Sequence, residues 1–424
     1  MPDTDVLVVG GGATGVGVAR DLALRGLDIT LVERDGLASG TSGRSHGVLH
    51  SGARYADTDP DGARECLREN RILQEIAGEC IASTGGLFVS LASDDAEYFQ
   101  RKRDACERVG IDVDAVAPDR ACKRVPALSQ RVERVLEVPD AVVYPSRLVA
   151  ATAAGAREHG ATIHIDAALR ELHVDDGQIV AAEVDGVGAI EPRFVVNAAG
   201  AWAGECAALA GVEVSMRPTR GVMVAVEYPG VRPVLNRCRP PADGDIVVPH
   251  GDLAVLGTTS VTVDDPDDYP QETWEIERTI EECAAMVPEL AAREPVRTYW
   301  GVRPLYGPTE AARSSTDTAG ADVGDDTGAG TNTGDSRGIS RGFELLDHAG
   351  VENFASIVGG KLTTHRLMAE VTSDLVCDRL AVDAECETAT TSLPGAQDPT
   401  VLDGYVREFE AGSPADVDVV GSET

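Results

Sequence analysis

Asp5-Val6-Leu7-Val8-Val9-Gly10-Gly11-Gly12-Ala13-Thr14-Gly15, continued downstream by Asp28-Ile29-Thr30-Leu31-Val32-Glu33, is the stretch that decides the fold. Its opening apolar, β-branched run predicts a short strand buried in a parallel sheet. The glycine turn comes next, then an apolar helix from about Thr14 to Arg25 and a second strand ending at Glu33. G-x-G-x-x-G between a strand and a helix has a physical rationale. The first glycine permits the tight turn, the second lets backbone approach a pyrophosphate, and the third lets helix and strand pack closely. The helix N-terminus then faces the phosphates. Glu33 closes the second strand where a carboxylate can accept ribose hydroxyls. Gly10, Gly11, Gly12, Ala13, Thr14, Gly15 and Glu33 are therefore read as dinucleotide-binding. This pattern alone does not separate NAD from FAD. No second fingerprint follows a strand elsewhere, since Gly328-Ala329-Gly330 lies in a low-complexity stretch, so one dinucleotide site is expected.

Around this unit the chain reads as α/β. Residues 57–82 carry helical apolar spacing, and 95–135 read as alternating helix and loop. A helix near 146–159 and strands at Thr162–Ile165 and Phe194–Asn197 return to the sheet. Between 217 and 305 the pattern changes. Val222–Val226, Asp245–Pro249 and Ala254–Thr259 are strands separated by turn residues, read as a mixed or antiparallel sheet inserted into the nucleotide domain. The expected organisation is a discontinuous Rossmann-type domain (1–53, 142–213, 339–376) and a substrate or cap domain (54–141, 214–308). Residues 309–338, rich in Thr, Gly, Asp and Ser, read as a flexible acidic loop, and 377–424 as a loosely ordered extension.

Composition narrows the partners. Among 424 residues, 71 are acidic and 37 basic, a formal net charge of −34. Lys102, Lys123 and Lys361 are the lysines; arginine supplies the other 34 basic residues. Such a charge opposes binding to nucleic acid or to an anionic membrane through a broad basic face. An acid-rich, lysine-poor surface suits molar salt, where repulsion is screened to about 3 Å. A halophilic source is therefore expected, the arginine bias alone having a GC-rich genome as its other explanation. The nine cysteines form no CxxC pair and read as reduced, mostly buried thiols; no metal site is expected. The acidic start Met1-Pro2-Asp3 does not read as a secretory leader, and no apolar run is long enough to span a membrane. A cytoplasmic protein is expected.

Ala38 through Tyr55 (ASGTSGRSHGVLHSGARY) is rich in small residues, which let backbone run close to a flat ring system. Together with Val196-Asn197-Ala198-Ala199-Gly200, Gly301-Val302-Arg303-Pro304-Leu305 and Gly359-Gly360-Lys361-Leu362-Thr363-Thr364, it resembles the FAD-dependent glycerol-3-phosphate dehydrogenases, above all the large subunit of the anaerobic enzyme. Asn236 to Arg239, Ser340 to Gly342 and Leu346 to His348 extend the resemblance over residues 3–395. It implies a fold like those of glutathione reductase and D-amino-acid oxidase, with FAD as cofactor. It further implies glycerol 3-phosphate as substrate and dihydroxyacetone phosphate as product. Electrons would pass to a respiratory quinone through membrane-anchor and iron–sulfur partner subunits, with the chain peripheral on the inner membrane face. In that family a cysteine-rich C-terminal region follows, and this chain stops before it; the 309–338 loop is longer than the family pattern.

The resemblance also distributes roles. Arg34, Thr41, Ser42, His46, Gly47, Val48, Ala199, Gly200, Gly359, Gly360, Lys361, Leu362 and Thr363 join the cofactor set. Oxidising a secondary alcohol requires a base for the hydroxyl proton, and a histidine titrating near 6.5 serves. His50 takes that role, with His46 and His348 as weaker candidates. A phosphate dianion calls for cations with fixed donors, so Arg54 and Arg303 are assigned to it, with Arg237 and Arg239 secondary. Lys361 would balance negative charge developing at flavin N1–C2=O. Two other readings stand beside this one: an FAD-dependent amine or 2-hydroxy-acid oxidase, and a flavin-binding subunit without activity of its own.

Overall fold

A computed structural model describes residues 3–307 and 342–421. The expected acidic loop at 309–338, and Ser340-Arg341, lie outside the described residues.

The opening stretch folds as its pattern dictates. A strand, Thr4–Val9, leads through the glycine turn into a helix, Ala13–Leu24, and then into a second strand, Ile29–Val32. Leu7 and Val8 are fully buried, as a strand covered on both faces requires. Six strands form this sheet in the order Phe343–Asp347, Phe354–Gly359, Pro192–Asn197, Thr4–Val9, Ile29–Val32, Thr162–His164. All pairs are parallel except the antiparallel edge strand Phe343–Asp347. One core beneath it gathers Val8, Val16, Leu22, Leu31, Val149 and Ile357. The helices close tightly on small residues: a Cβ at Gly17 would sit 3.1 Å from Ala369 Cβ of the helix His365–Leu380.

The inserted sheet is larger than its sequence pattern suggests. It holds nine strands and is mixed, with the long strands Met216–Glu227 and Pro295–Tyr306 paired antiparallel along their length. Gly86–Leu91 and Val234–Arg237 pair in parallel, joining the segment before residue 141 to the one after 214. Residues 95–135 are not helix and loop only. Val132–Val138 and Asp114–Val116 complete the sheet; charged residues such as Glu133, Arg134 and Glu137 interrupt the apolar pattern of the longer strand. A three-stranded antiparallel sheet over Leu169–Ile190 is an element the sequence reading did not anticipate.

The C-terminal residues correct another expectation. Residues 377–421 are docked rather than loosely ordered. The segment is polar on average, yet several of its apolar side chains are buried, among them Leu393, Leu402, Phe409 and Ala415. Arg147 forms a bidentate pair with Asp403 at 2.7 and 3.1 Å, both side chains under a tenth exposed. All nine cysteines are free thiols, seven of them buried.

Candidate active site

A cleft of about 1050 Å³ runs from the glycine turn to the face of the inserted sheet. That is at the top of the range for small-molecule sites and suits an extended ligand with a second molecule beside it.

At one end stands the first helix, whose N-terminal N–H groups lack acceptors within the helix. Ser42 Oγ accepts from Ala13 N at 2.9 Å, pinning the 39–45 loop beside that end. A Cβ placed on Gly12 would meet only Ser42 Oγ, at 3.1 Å, so the space beyond Gly12 is open to a ligand. Gly15 has the packing role expected of the third glycine: its Cβ would lie 1.9 Å from Gly10 O. Gly11 also faces inward, donating its N–H to Glu33 Oε2 at 2.6 Å. Glu33 thus braces the turn while lining the cleft, and burial pushes its carboxyl above the usual range. Arg34 lies on the rim, paired with Asp267 at 2.9 and 3.2 Å and 4.3 Å from the Trp202 ring. Asp267 also accepts from Trp202 Nε1, which closes a triangle across three segments of the chain.

The loop after the second strand carries the small residues along the cleft wall. Thr41 donates to the Val302 carbonyl, tying this loop to the strand that bears Arg303. His46 Nδ1 accepts from Val48 N at 3.3 Å, and His46 and His50 meet edge-on with ring centroids 6.0 Å apart. Gly47 has φ +73° and stays off the cleft; a Cβ there would strike His250 at 2.8 Å. His50 is 7% exposed, its backbone N–H donates to Thr363 Oγ1 at 3.1 Å, and its ring stands edge-on to Tyr55 at 5.4 Å. Lys361 Nζ lies 4.8 Å from the Tyr55 ring centroid. Lys361 precedes the turn Leu362–Thr364, which runs on into the helix His365–Leu380, so its charge sits near a helix start. Arg303 Nη2 donates to Thr258 Oγ1 and to the Thr259 carbonyl at 3.2 and 2.8 Å. Gly257, before Thr258, approaches His46: a Cβ there would stand 3.9 Å from His46 Cδ2. Arg303, His46, His50, Tyr55 and Lys361 thus all line the same cleft.

Ala199, Gly200, Gly359, Gly360, Leu362 and Thr363 also line the cleft. Three arginines assigned from the sequence do not. Arg54 is turned to Asp245 at 2.9 Å and Asn236 Oδ1 at 3.5 Å. Arg237 forms a bidentate pair with Asp94 at 2.7 Å, and Arg239 pairs with Glu282 at 2.8 Å. Acids brought near by the fold, not spacing in the chain, decide where these guanidinium groups turn. His348 is likewise absent from the lining: it stacks on Phe354 at 5.0 Å and bonds Ser356 Oγ, and burial lowers its pKa. Tyr55, Thr258, Met223, Trp202 and His365 line the cleft without having been assigned individually. Burial holds the His365 imidazole down to about 4, so it stays neutral near pH 7, with Nδ1 2.8 Å from the Leu362 carbonyl. Tyr55 was legible as the last residue of the small-residue stretch; Thr258 was not, because it follows a strand with no motif of its own.

The open space before Gly12, the braced Glu33 and the size of the cleft fit FAD. The comparisons agree. Residues 5–375 match the family described as FAD dependent oxidoreductase. The chain is 46% identical to the A1 component of the anaerobic glycerol-3-phosphate dehydrogenase of Haloferax volcanii, over 96% of this chain and 69% of that protein. It is 40% identical to the corresponding component of the Escherichia coli anaerobic enzyme, over 93% of this chain and 71% of the relative. The fold superposes with TM-score 0.68 and 22% identity on the Bacillus halodurans glycerol-3-phosphate dehydrogenase solved with FAD, covering 96% of this chain and 72% of that one. A glycine turn, a bracing carboxylate and a match spanning residues 5–375 thus converge, and the chain belongs to the FAD dependent oxidoreductases, with FAD as its cofactor.

Proposed function

We propose that the protein oxidises sn-glycerol 3-phosphate to dihydroxyacetone phosphate. The observation that carries this reading is the grouping of Arg303, Lys361, His50 and Tyr55 on one cleft with the glycine turn, in a chain 46% identical to a component of that enzyme. When bound, FAD supplies the two-electron acceptor for the carbinol C–H bond. His50, held through its own backbone by Thr363, takes the hydroxyl proton. Arg303 offers a guanidinium in fixed orientation to the phosphate dianion. Lys361 balances negative charge that builds at the same end of the cleft. The half-buried Tyr55 ring stands edge-on to His50 and forms part of the cleft wall beside it.

Electrons leave, in this reading, through partner subunits bearing an iron–sulfur centre and a membrane anchor, toward a respiratory quinone. The relatives' designation as subunits supports it. Among the described residues no helix is long and apolar enough to cross a membrane, which accords with peripheral attachment through a partner. Steady-state turnover with an artificial electron acceptor in high salt tests the reaction. One dihydroxyacetone phosphate per two electrons is expected; no carbonyl product from glycerol 3-phosphate would reject it.

A further inference from the structure

Arg303 reaches its acceptors by crossing a neighbouring strand. In the inserted sheet Arg303 stands opposite Thr219, and Gly301 opposite Gly221. Thr258 and Thr259 follow the strand Leu253–Gly257, which pairs with the far edge of Met216–Glu227. Arg303 Nη2 therefore donates across that strand, at Gly221, to Thr258 Oγ1 and Thr259 O at 3.2 and 2.8 Å. The passage is open only because position 221 lacks a side chain. A Cβ there would lie 2.4 Å from both Thr258 Oγ1 and Thr259 O, and 2.7 Å from Arg303 Nη2. Gly221 has no positive φ, so this position needs the missing side chain and not backbone freedom.

The platform beyond the glycine is itself fixed. Val222 N donates to Thr259 Oγ1 at 3.0 Å, and Gly244 N to Thr258 O at 3.4 Å. Thr258 Oγ1 donates to Thr259 O at 3.3 Å, which commits its proton and leaves its lone pairs for the guanidinium. Thr259 is fully buried, while Gly221, Thr258 and Arg303 line the cleft. A long arginine side chain otherwise loses much rotamer freedom on binding an anion, and holding it beforehand removes that cost from the binding step.

We propose that Thr258 is a positioning residue for Arg303, and that Gly221 and Thr258 together set the preference for phosphorylated over unphosphorylated alcohols. This rests on the reading of Arg303 as the phosphate ligand. Thr258→Val keeps the shape and removes the acceptor; Thr258→Ser keeps the hydroxyl. In the FAD-loaded protein, Thr258→Val raises KM for glycerol 3-phosphate about tenfold with kcat within about twofold, as expected when one ground-state contact is weakened. Flavin reduction by unphosphorylated glycerol stays unchanged, and Thr258→Ser lies within about twofold of the parent protein on every reading. An equal loss on both alcohols, or an unchanged preference, overturns the proposal. Should Thr258→Val fail to retain FAD, Thr258→Ser and Thr258→Ala decide. Preference kept with serine and lost with alanine supports the proposal; preference kept with both overturns it. A parent protein that glycerol 3-phosphate does not reduce overturns the functional reading instead, so the two failures are distinguishable.

Discussion

Arg303 and His50 line one cleft and answer different chemical demands. Charge-assisted hydrogen bonds contribute about 1.5–3 kcal/mol each, so Arg303→Ala should lower kcat/KM for glycerol 3-phosphate about 10–1000-fold. The slow flavin reduction by glycerol should barely move. His50→Ala should slow both alcohols, because both must lose a hydroxyl proton. Stopped-flow reduction of each variant by each alcohol checks the pair. Losses in Arg303→Ala that do not depend on the phosphate would assign the residue to the fold. Gly12 belongs to the same scale. Its Cβ position opens onto the cleft, so Gly12→Val should leave a folded protein that purifies without FAD. A folded, fully flavinated Gly12→Val protein would contradict the cofactor geometry.

At the scale of elements, the docked C-terminal segment makes a measurable claim. Removing one member of a buried ion pair strands the other charge, which costs about 3–5 kcal/mol. Asp403→Ala, which strands Arg147, should therefore shift the denaturant midpoint substantially; a shift within error would mean that the segment is loosely attached. This element also shows where sequence reading stops. The strand–turn–helix–strand at the start was legible because three glycines and one acid each answer a local need. The segment 377–421 was not, because its order comes from distant partners: Ser413 Oγ donates to the Gly43 carbonyl at 2.7 Å, and Arg297 Nε to that of Pro414 at 3.0 Å. The sheet Leu169–Ile190 escaped notice because exposed residues, among them Val174 and Val180, blur its period of two. Within the site, Arg303, His50 and Lys361 were legible from motifs and stand on the cleft. Arg54, Arg237 and Arg239 do not line the cleft but turn to Asp245, Asp94 and Glu282, partners that are invisible in the sequence until the sheet forms.

The whole molecule carries a net charge of −34, and repulsion among its carboxylates weakens as salt rises. Thermal stability should therefore increase from dilute buffer to molar potassium chloride, where the Debye length falls to about 3 Å. An unchanged melting temperature would show that exposed ion pairs, such as Arg170 with Asp185, already balance the surface. Activity assays belong in the same high salt, so that loss of fold is not read as loss of chemistry. The central claim is that one cleft holds FAD at the glycine turn and a phosphorylated alcohol at Arg303. Anaerobic titration of the flavin-loaded protein in high salt tests this most directly, with glycerol 3-phosphate, glycerol, glycine and lactate added separately. Prompt, stoichiometric bleaching by glycerol 3-phosphate, with slow or no bleaching by the other three, is the predicted result. A bound flavin that glycerol 3-phosphate leaves yellow, or that glycine or lactate bleaches faster, would contradict the account.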